Sequence, residues 1–420
     1  MRSVLLTTAA LALALSTGCR SSDPAPVASD LKLERVVMLM RHGVRPPTKA
    51  LPTPEGTTDR PWPTWSVDFG ELTRHGYDAV RLVGVWDRTQ WAGRGLLPAD
   101  GCPAAGDVVV AASSKSRTQA TARALVEGMA PGCTITLSFP ASEDEDVEFH
   151  PLESGAVPID EEAAYQAVLA LMPEGGMPAE VARHAPLFSL LNQALGCCTA
   201  AFCAEEKAPA GCDISRMPAG IVRNDEDRPD VGDPFGIAST ASQTFLLEYL
   251  EGMPMADVAW GRLTRAQIEA LLEFHSLKFY YEGRAPYVAA RAASPLARRM
   301  LTAMESGPKL TVLVGHDTNI ADLGGFLDLH WQVPSYPRDD PPPGGALGFE
   351  VLSNSSGAKF VHAFYRSQTM DQVRELQPLT ANNPASYTYI AIPGCTELCP
   401  MAEFERLMNS RLVASTPPAP

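Results

Sequence analysis

The chain has no excess of basic charge: 34 lysines and arginines stand against 49 aspartates and glutamates, a formal net charge of -15. Nucleic acid and anionic membranes are held by a basic face that displaces counterions, so neither is an expected general partner. Any attraction for a small anion must therefore be local. Beyond the N-terminal stretch from Val4 to Leu15, no apolar run is long enough to span a bilayer. Internal repeats are missing too, which excludes solenoid and propeller arrays. The acidic run Glu143-Asp144-Glu145-Asp146 lacks the glycine pattern of a calcium loop and reads as a solvated loop.

What remains is an ordinary globular composition, 45% hydrophobic and 20% charged over 420 residues. That length buries a substantial core and suggests two domains, or one sheet domain carrying a large insertion. Arg2, the apolar stretch and Ser16-Thr17-Gly18-Cys19 read as an export signal over residues 1–19. A cysteine after a small residue at the cleavage point resembles a bacterial lipoprotein signal. Cys19 would then be lipidated and attach the protein to a membrane, with residues 20–30 as a tether. Without lipidation the signal is plainly secretory, and either way the mature protein works in the periplasm, the cell envelope or outside the cell.

Setting Cys19 aside from the nine cysteines leaves eight, consistent with disulfides in an oxidising compartment. Cys102 and Cys133 flank one segment, Cys203 and Cys212 bracket a polar loop, and Cys395 and Cys399 are close enough to staple one turn. Cys197 and Cys198 pair with each other or exchange partners with Cys203 and Cys212, and a four-thiolate zinc site over 197–212 is the rival arrangement.

Three strand-like runs end in residues suited to gripping phosphate. Val36-Val37-Met38-Leu39-Met40 leads into Arg41-His42-Gly43-Val44-Arg45-Pro46-Pro47. Val108-Val109-Val110-Ala111-Ala112 leads through serines to Arg117, and Leu310-Thr311-Val312-Leu313-Val314 stops at Gly315-His316-Asp317-Thr318-Asn319. Ligands of open α/β sheets bind at the carboxyl ends of parallel strands, so three such ends can share one crevice. The shared set suits phosphoryl transfer, whose transition state spreads charge over three equatorial oxygens. Arg41, Arg45 and Arg117 can clamp those oxygens in a bidentate manner. They also disfavour protonation of His42, leaving a neutral imidazole able to attack phosphorus. Asp317 is the candidate acid for the leaving alcohol, and His316 a hydrogen-bond donor to phosphate. A mutase-like transfer shares this chemistry but must keep water from its phosphoryl group. A metal-dependent phosphohydrolase would need further ligands, and a phosphate-binding surface lipoprotein would need neither nucleophile nor acid.

Arg41-His42-Gly43-x-Arg45-x-Pro47 with a distant His316-Asp317 resembles the histidine acid phosphatase family, most of all its bacterial periplasmic branch of phytases and glucose-1-phosphatases. Trp62-Pro63-Thr64-Trp65, Gly101-Cys102-Pro103, Gly252-Met253-Pro254 with Trp260-Gly261, Leu323-Gly324-Gly325 and Pro342-Pro343-Gly344-Gly345 carry the likeness over most of the mature chain. The resemblance implies an α/β fold of phosphoglycerate-mutase-like architecture: a mixed, mainly parallel sheet flanked by helices, with a smaller, mostly helical insertion. It implies a metal-independent acid phosphatase with no cofactor, working through a phosphohistidine. His42 matches the nucleophile, Asp317 the proton donor, and Arg41, Arg45, Arg117 and His316 the phosphate ligands. Thr48 and Lys49 match residues that reach further phosphates of phytate, the favoured substrate. Gln243 falls where relatives carry an acid, which leaves glucose 1-phosphate or another sugar phosphate as the alternative. The partner is a small phosphorylated substrate, and the protein is expected to be a monomer.

The catalytic α/β domain is expected from residues 31–155 and 285–420, with the insertion at 156–284, a stretch rich in Ala, Leu, Glu and Gln. Its clearest helix starts after Thr264 with Gln267 completing a capping box, and buries Ile268, Leu271, Leu272 and Phe279. His275 shares that face and reads as a packed core histidine. The Pro/Gly-rich segments Pro52 to Pro63 and Asp339 to Gly345 read as loops at the sheet rim.

Overall fold

The computed structural model describes residues 31–205, 213–224 and 227–414. The expected export signal, Cys19 and the tether lie outside the described residues, as does Cys212. Strands β1 (Lys32–Arg41), β2 (Val108–Ala112) and β3 (Thr136–Ser138) precede an antiparallel pair of two-residue strands, β4 (Ile221–Val222) and β5 (Asp230–Val231). Then come β6 (Leu310–Gly315), β7 (Ala346–Ser353), β8 (Lys359–Ser367), β9 (Ser386–Ile390) and β10 (Cys399–Pro400). The main sheet runs β10-β8-β7-β1-β6-β2-β3, with β9 also paired to β8. β1, β6, β2 and β3 are parallel, and β7 to β10 extend the other edge antiparallel.

The run Val36–Met40 of strand β1 is continuously apolar and buried because both faces of the sheet are covered there, as expected of a central strand. Val37 and Leu39 enter one core, while Val36, Met38 and Met40 enter the other. The second core is roofed by α1 (Arg74–Gly93) and α2 (Ser116–Met129). Between β3 and β6 the chain is mostly helical: α3 (Glu161–Leu169), α4 (Gly176–Arg183), α5 (Ala185–Leu195), α6 (Ala200–Glu205), α7 (Phe235–Leu250), α8 (Arg265–Leu271) and α9 (Glu273–Glu282), followed by the long α10 (Pro286–Ser306). α11 (Asp317–Leu327), α12 (Met370–Arg374) and α13 (Met401–Arg411) complete the described α-helices. None is long and apolar enough to cross a membrane.

The helix expected after Thr264 is two helices. The Thr264 and Gln267 capping box opens α8, which ends at Leu271, and α9 starts at Glu273. The disulfides Cys102–Cys133, Cys197–Cys198 and Cys395–Cys399 form, and Cys203 is disulfide-bonded as well. The bond between Cys197 and Cys198 consumes two thiolates that the zinc arrangement needed. The acidic run is only partly solvated: Glu143, Asp144 and Glu145 are exposed, whereas Asp146 is fully buried. Its Oδ2 accepts hydrogen bonds from the Ser113 and Ser114 hydroxyls and from the Ser114 N–H, which is the compensation a buried carboxylate requires.

The position of α2 depends on a close helix contact. A Cβ on Gly128 would lie 2.0 Å from the Arg81 carbonyl oxygen, and one on Gly84 would lie 2.3 Å from that of Leu125. Gly128→Ala must push α1 and α2 apart, at an expected cost of about 1–3 kcal/mol of stability in urea or thermal unfolding. A variant as stable as the wild type would contradict this packing.

Candidate active site

Strands β1, β6 and β2 lie side by side with their carboxyl ends in register, Arg41 opposite Gly315 and Ala112 opposite Val314. The sheet therefore delivers the three motifs to one place. α2 begins just before Arg117 and α11 begins at Asp317, so two helix N-termini add partial positive charge to the crevice. The loop before β7 closes the floor: the Gly344 N–H donates to the His42 carbonyl, and the Arg41 N–H to that of Gly345.

His42 is 1% exposed, and its Nδ1 lies 2.9 Å from the Gly43 carbonyl oxygen. A carbonyl only accepts, so the neutral ring carries its proton on Nδ1 and keeps the lone pair on Nε2. That nitrogen accepts from Arg45 Nε at 3.4 Å. Burial, then Arg45, Arg117 and Arg41, hold the imidazole well below its ordinary pKa. Burial and Arg117 likewise push Arg45 down to about 9, with Asp317 opposing. Such crowding of like charges is relieved by an anion bound among them.

Arg41 is almost wholly buried. Its Nη1 donates to the Pro341 carbonyl at 2.7 Å, while Nη2 meets Asp317 Oδ2 at 2.6 Å and Gln243 Oε1 at 3.1 Å. Asp317 is held well below the usual carboxylate range: burial works against its charge, but Arg41 and His275 outweigh it. Arg117 Nη2 sits 3.5 Å from His316 Nδ1, and the Nε of both Arg41 and Arg117 is buried without a partner. Ser113 donates its hydroxyl to Asp146 and so accepts from His316 Nε2, 3.2 Å away. The one N–H of a neutral His316 is thus engaged. Its bond to phosphate needs either a second proton, favoured by a bound dianion, or release from Ser113.

The expected residues His42, Asp317, Arg41, Arg45, Arg117 and His316 therefore come together. His42, Arg45, Arg117, His316 and Asp317 line an inner pocket of about 150 Å³. It opens through Arg45 and Asp317 into a cleft of about 460 Å³ lined by Arg41, Thr48, Lys49 and Gln243. Sequence reasoning missed several neighbours. His150, whose ring centroid is 5.2 Å from that of His316, and Glu153 line the inner pocket. Arg228 reaches both spaces while bound to Asp322 at 2.6 and 3.1 Å. His275 is buried as expected but is more than core packing: its Nε2 lies 3.7 Å from Asp317 Oδ2 and its Nδ1 2.6 Å from Asp340 Oδ1. A titratable group in an otherwise apolar helical stripe was the available signal, since such a group needs a partner when buried.

Comparison with known proteins agrees with this geometry. Residues 32–208 and 223–366 match the Histidine phosphatase superfamily (branch 2). The chain is 32% identical to Phytase AppA of Escherichia coli, covering 97% of this chain and 98% of that one. It is 30% identical to the Glucose-1-phosphatase of Salmonella typhimurium, over 90% of this chain and 92% of that one. The structure of Hafnia alvei phytase in complex with tartrate superposes with a TM-score of 0.86 at 32% identity, covering 93% of this chain and 100% of that chain.

Proposed function

The chain belongs to branch 2 of the histidine phosphatase superfamily and is a phosphatase, and from that premise we propose an exported acid phosphatase that works through a phosphohistidine on His42. The observation that carries the proposal is the Nε2 lone pair of a buried, neutral His42 among Arg41, Arg45 and Arg117, with Asp317 at the same pocket. The arginines and His316 bind the phosphoryl oxygens. His42 Nε2 forms the N–P bond as the P–O bond to the alcohol breaks, and Asp317 gives that alcohol its proton. Water then attacks phosphorus, Asp317 takes its proton, and His42 leaves.

A depressed Asp317 is a poor acid in the free enzyme. Bound phosphate changes this, because the dianion draws on Arg41 and repels the carboxylate, and both effects raise the pKa of Asp317. Export is supported by the disulfides, which suit an oxidising compartment. Lipidation of Cys19 remains part of the proposal.

Phytate is the proposed substrate, supported by 32% identity to a phytase along nearly the whole chain and by Thr48 and Lys49 on the cleft wall. The charge of the outer cleft favours a second reading. Lys278 is paired with Glu282, and Arg228 with Asp322, while Glu153, Asp227 and Asp230 add negative charge to the wall. Gln243 is neutral. Such a wall suits a substrate with one phosphate and a hydroxyl-rich body, such as a sugar monophosphate. Phosphate release from phytate and glucose 1-phosphate, measured side by side at mildly acidic pH with a chelator, decides between them. Chelator-resistant release from phytate is expected. Preference for glucose 1-phosphate would keep the chemistry and establish the second reading, and hydrolysis of neither would point to a binding protein.

A further inference from the structure

The Asp317 carboxyl has a second neighbour besides Arg41. His275 reaches it from α9, and Asp340 reaches His275 from the Pro-rich loop before β7. Asp340 is 0% exposed, its Oδ1 lies 2.6 Å from His275 Nδ1, and its Oδ2 has no partner. A carboxylate so buried needs a compensating charge or donor, and the imidazole at 2.6 Å supplies it. Nδ1–H is therefore fixed on Asp340. The other nitrogen, Nε2, is turned to Asp317 Oδ2 at 3.7 Å, one small side-chain adjustment from a hydrogen bond.

We propose that His275, oriented by Asp340, is the positioning residue that supplies Asp317 with the proton it delivers to the leaving alcohol. The proposal rests on the reading of Asp317 as proton donor. When phosphate engages Arg41, the His275 Nε2–H bond breaks and an O–H bond forms on Asp317 Oδ2, leaving a neutral imidazole still donating from Nδ1 to Asp340. Asp317 passes that proton to the alcohol oxygen as the P–O bond breaks. In the second half, the proton taken from attacking water returns by the same route to Nε2. No further reactant is required.

The charges around the ring suit this role. Burial opposes a charged imidazole, but Asp340 and Asp317 together outweigh burial and Arg41 and raise its pKa. Tyr336 and Tyr365 face Asp340 from the same loop and from β8, and Lys278 and Glu282 line the cleft from α9 itself. His275 is therefore held in its charged form to higher pH than a free imidazole.

The test compares His275→Asn, Asp340→Asn and Asp317→Asn with the wild type. The rate of His42 phosphorylation is read across pH with an alkyl phosphate and with p-nitrophenyl phosphate. His275→Asn should slow the alkyl ester at least about tenfold more than the activated ester. It should also abolish the wild-type fall in rate at rising pH, and Asp340→Asn should move that fall to lower pH. An alkaline limb and leaving-group ratio that stay as in the wild type in both variants would overturn the relay. Folding defects alone lower both esters together and leave the limb in place, which also counts against it. If Asp317→Asn itself shows no leaving-group selectivity, the donor reading fails. If it does and His275→Asn does not, only the relay fails.

Discussion

His42→Ala is expected to lower turnover of every phosphomonoester by at least about 10⁴-fold, because no neighbouring group can replace its Nε2 as nucleophile. His316 has its one N–H engaged by Ser113 and its Nδ1 beside Arg117. His275 is held between Asp317 and Asp340, and His150 between Asp146 and Glu153. Arg41, Arg45 and Arg117 remain in the variant, so inhibition by inorganic phosphate should persist while kcat collapses. That split separates loss of chemistry from loss of the site. A variant that keeps a sizeable part of wild-type turnover would remove His42 from the nucleophile's role.

Asp317→Asn carries the second large effect. Asparagine keeps the shape and the N-terminal position on α11, yet it can neither donate an acid proton nor supply the charge that Asp317 offers Arg41. Protonation of a leaving group contributes about 10²–10⁴-fold to rate when the alcohol is a poor leaving group. Hydrolysis of a sugar or alkyl phosphate should fall by that amount, and p-nitrophenyl phosphate, whose phenolate leaves unaided, should lose far less in the phosphorylation step. Equal losses on both would exclude Asp317 as the acid.

The inner site was legible in the sequence because its residues follow apolar strands directly. Arg41, His42 and Arg45 trail the buried run of β1, and His316 and Asp317 trail β6; only parallel neighbours with aligned ends were needed to join them. Arg117 came with them because α2 starts at Ser116, within four residues of the end of β2. His275 was visible but not interpretable. Its helical stripe looks like any buried face, and what distinguishes it is Asp340, 65 residues further on. Asp146 failed for a related reason: three exposed acids precede it, and its burial follows from the serines after β2 rather than from its own neighbours. The break between α8 and α9 has no glycine or proline to announce it, so periodicity carried one helix through.

The central claim is a covalent bond between phosphorus and His42 Nε2. Rapid quenching of the enzyme with a ³²P-labelled monoester, followed by peptide mapping, tests it most directly. The expected result is a label that survives alkali, is lost in acid, maps to the peptide containing His42 and is absent from His42→Ala. Full turnover with no labelled protein, or a label on any other residue, would contradict it.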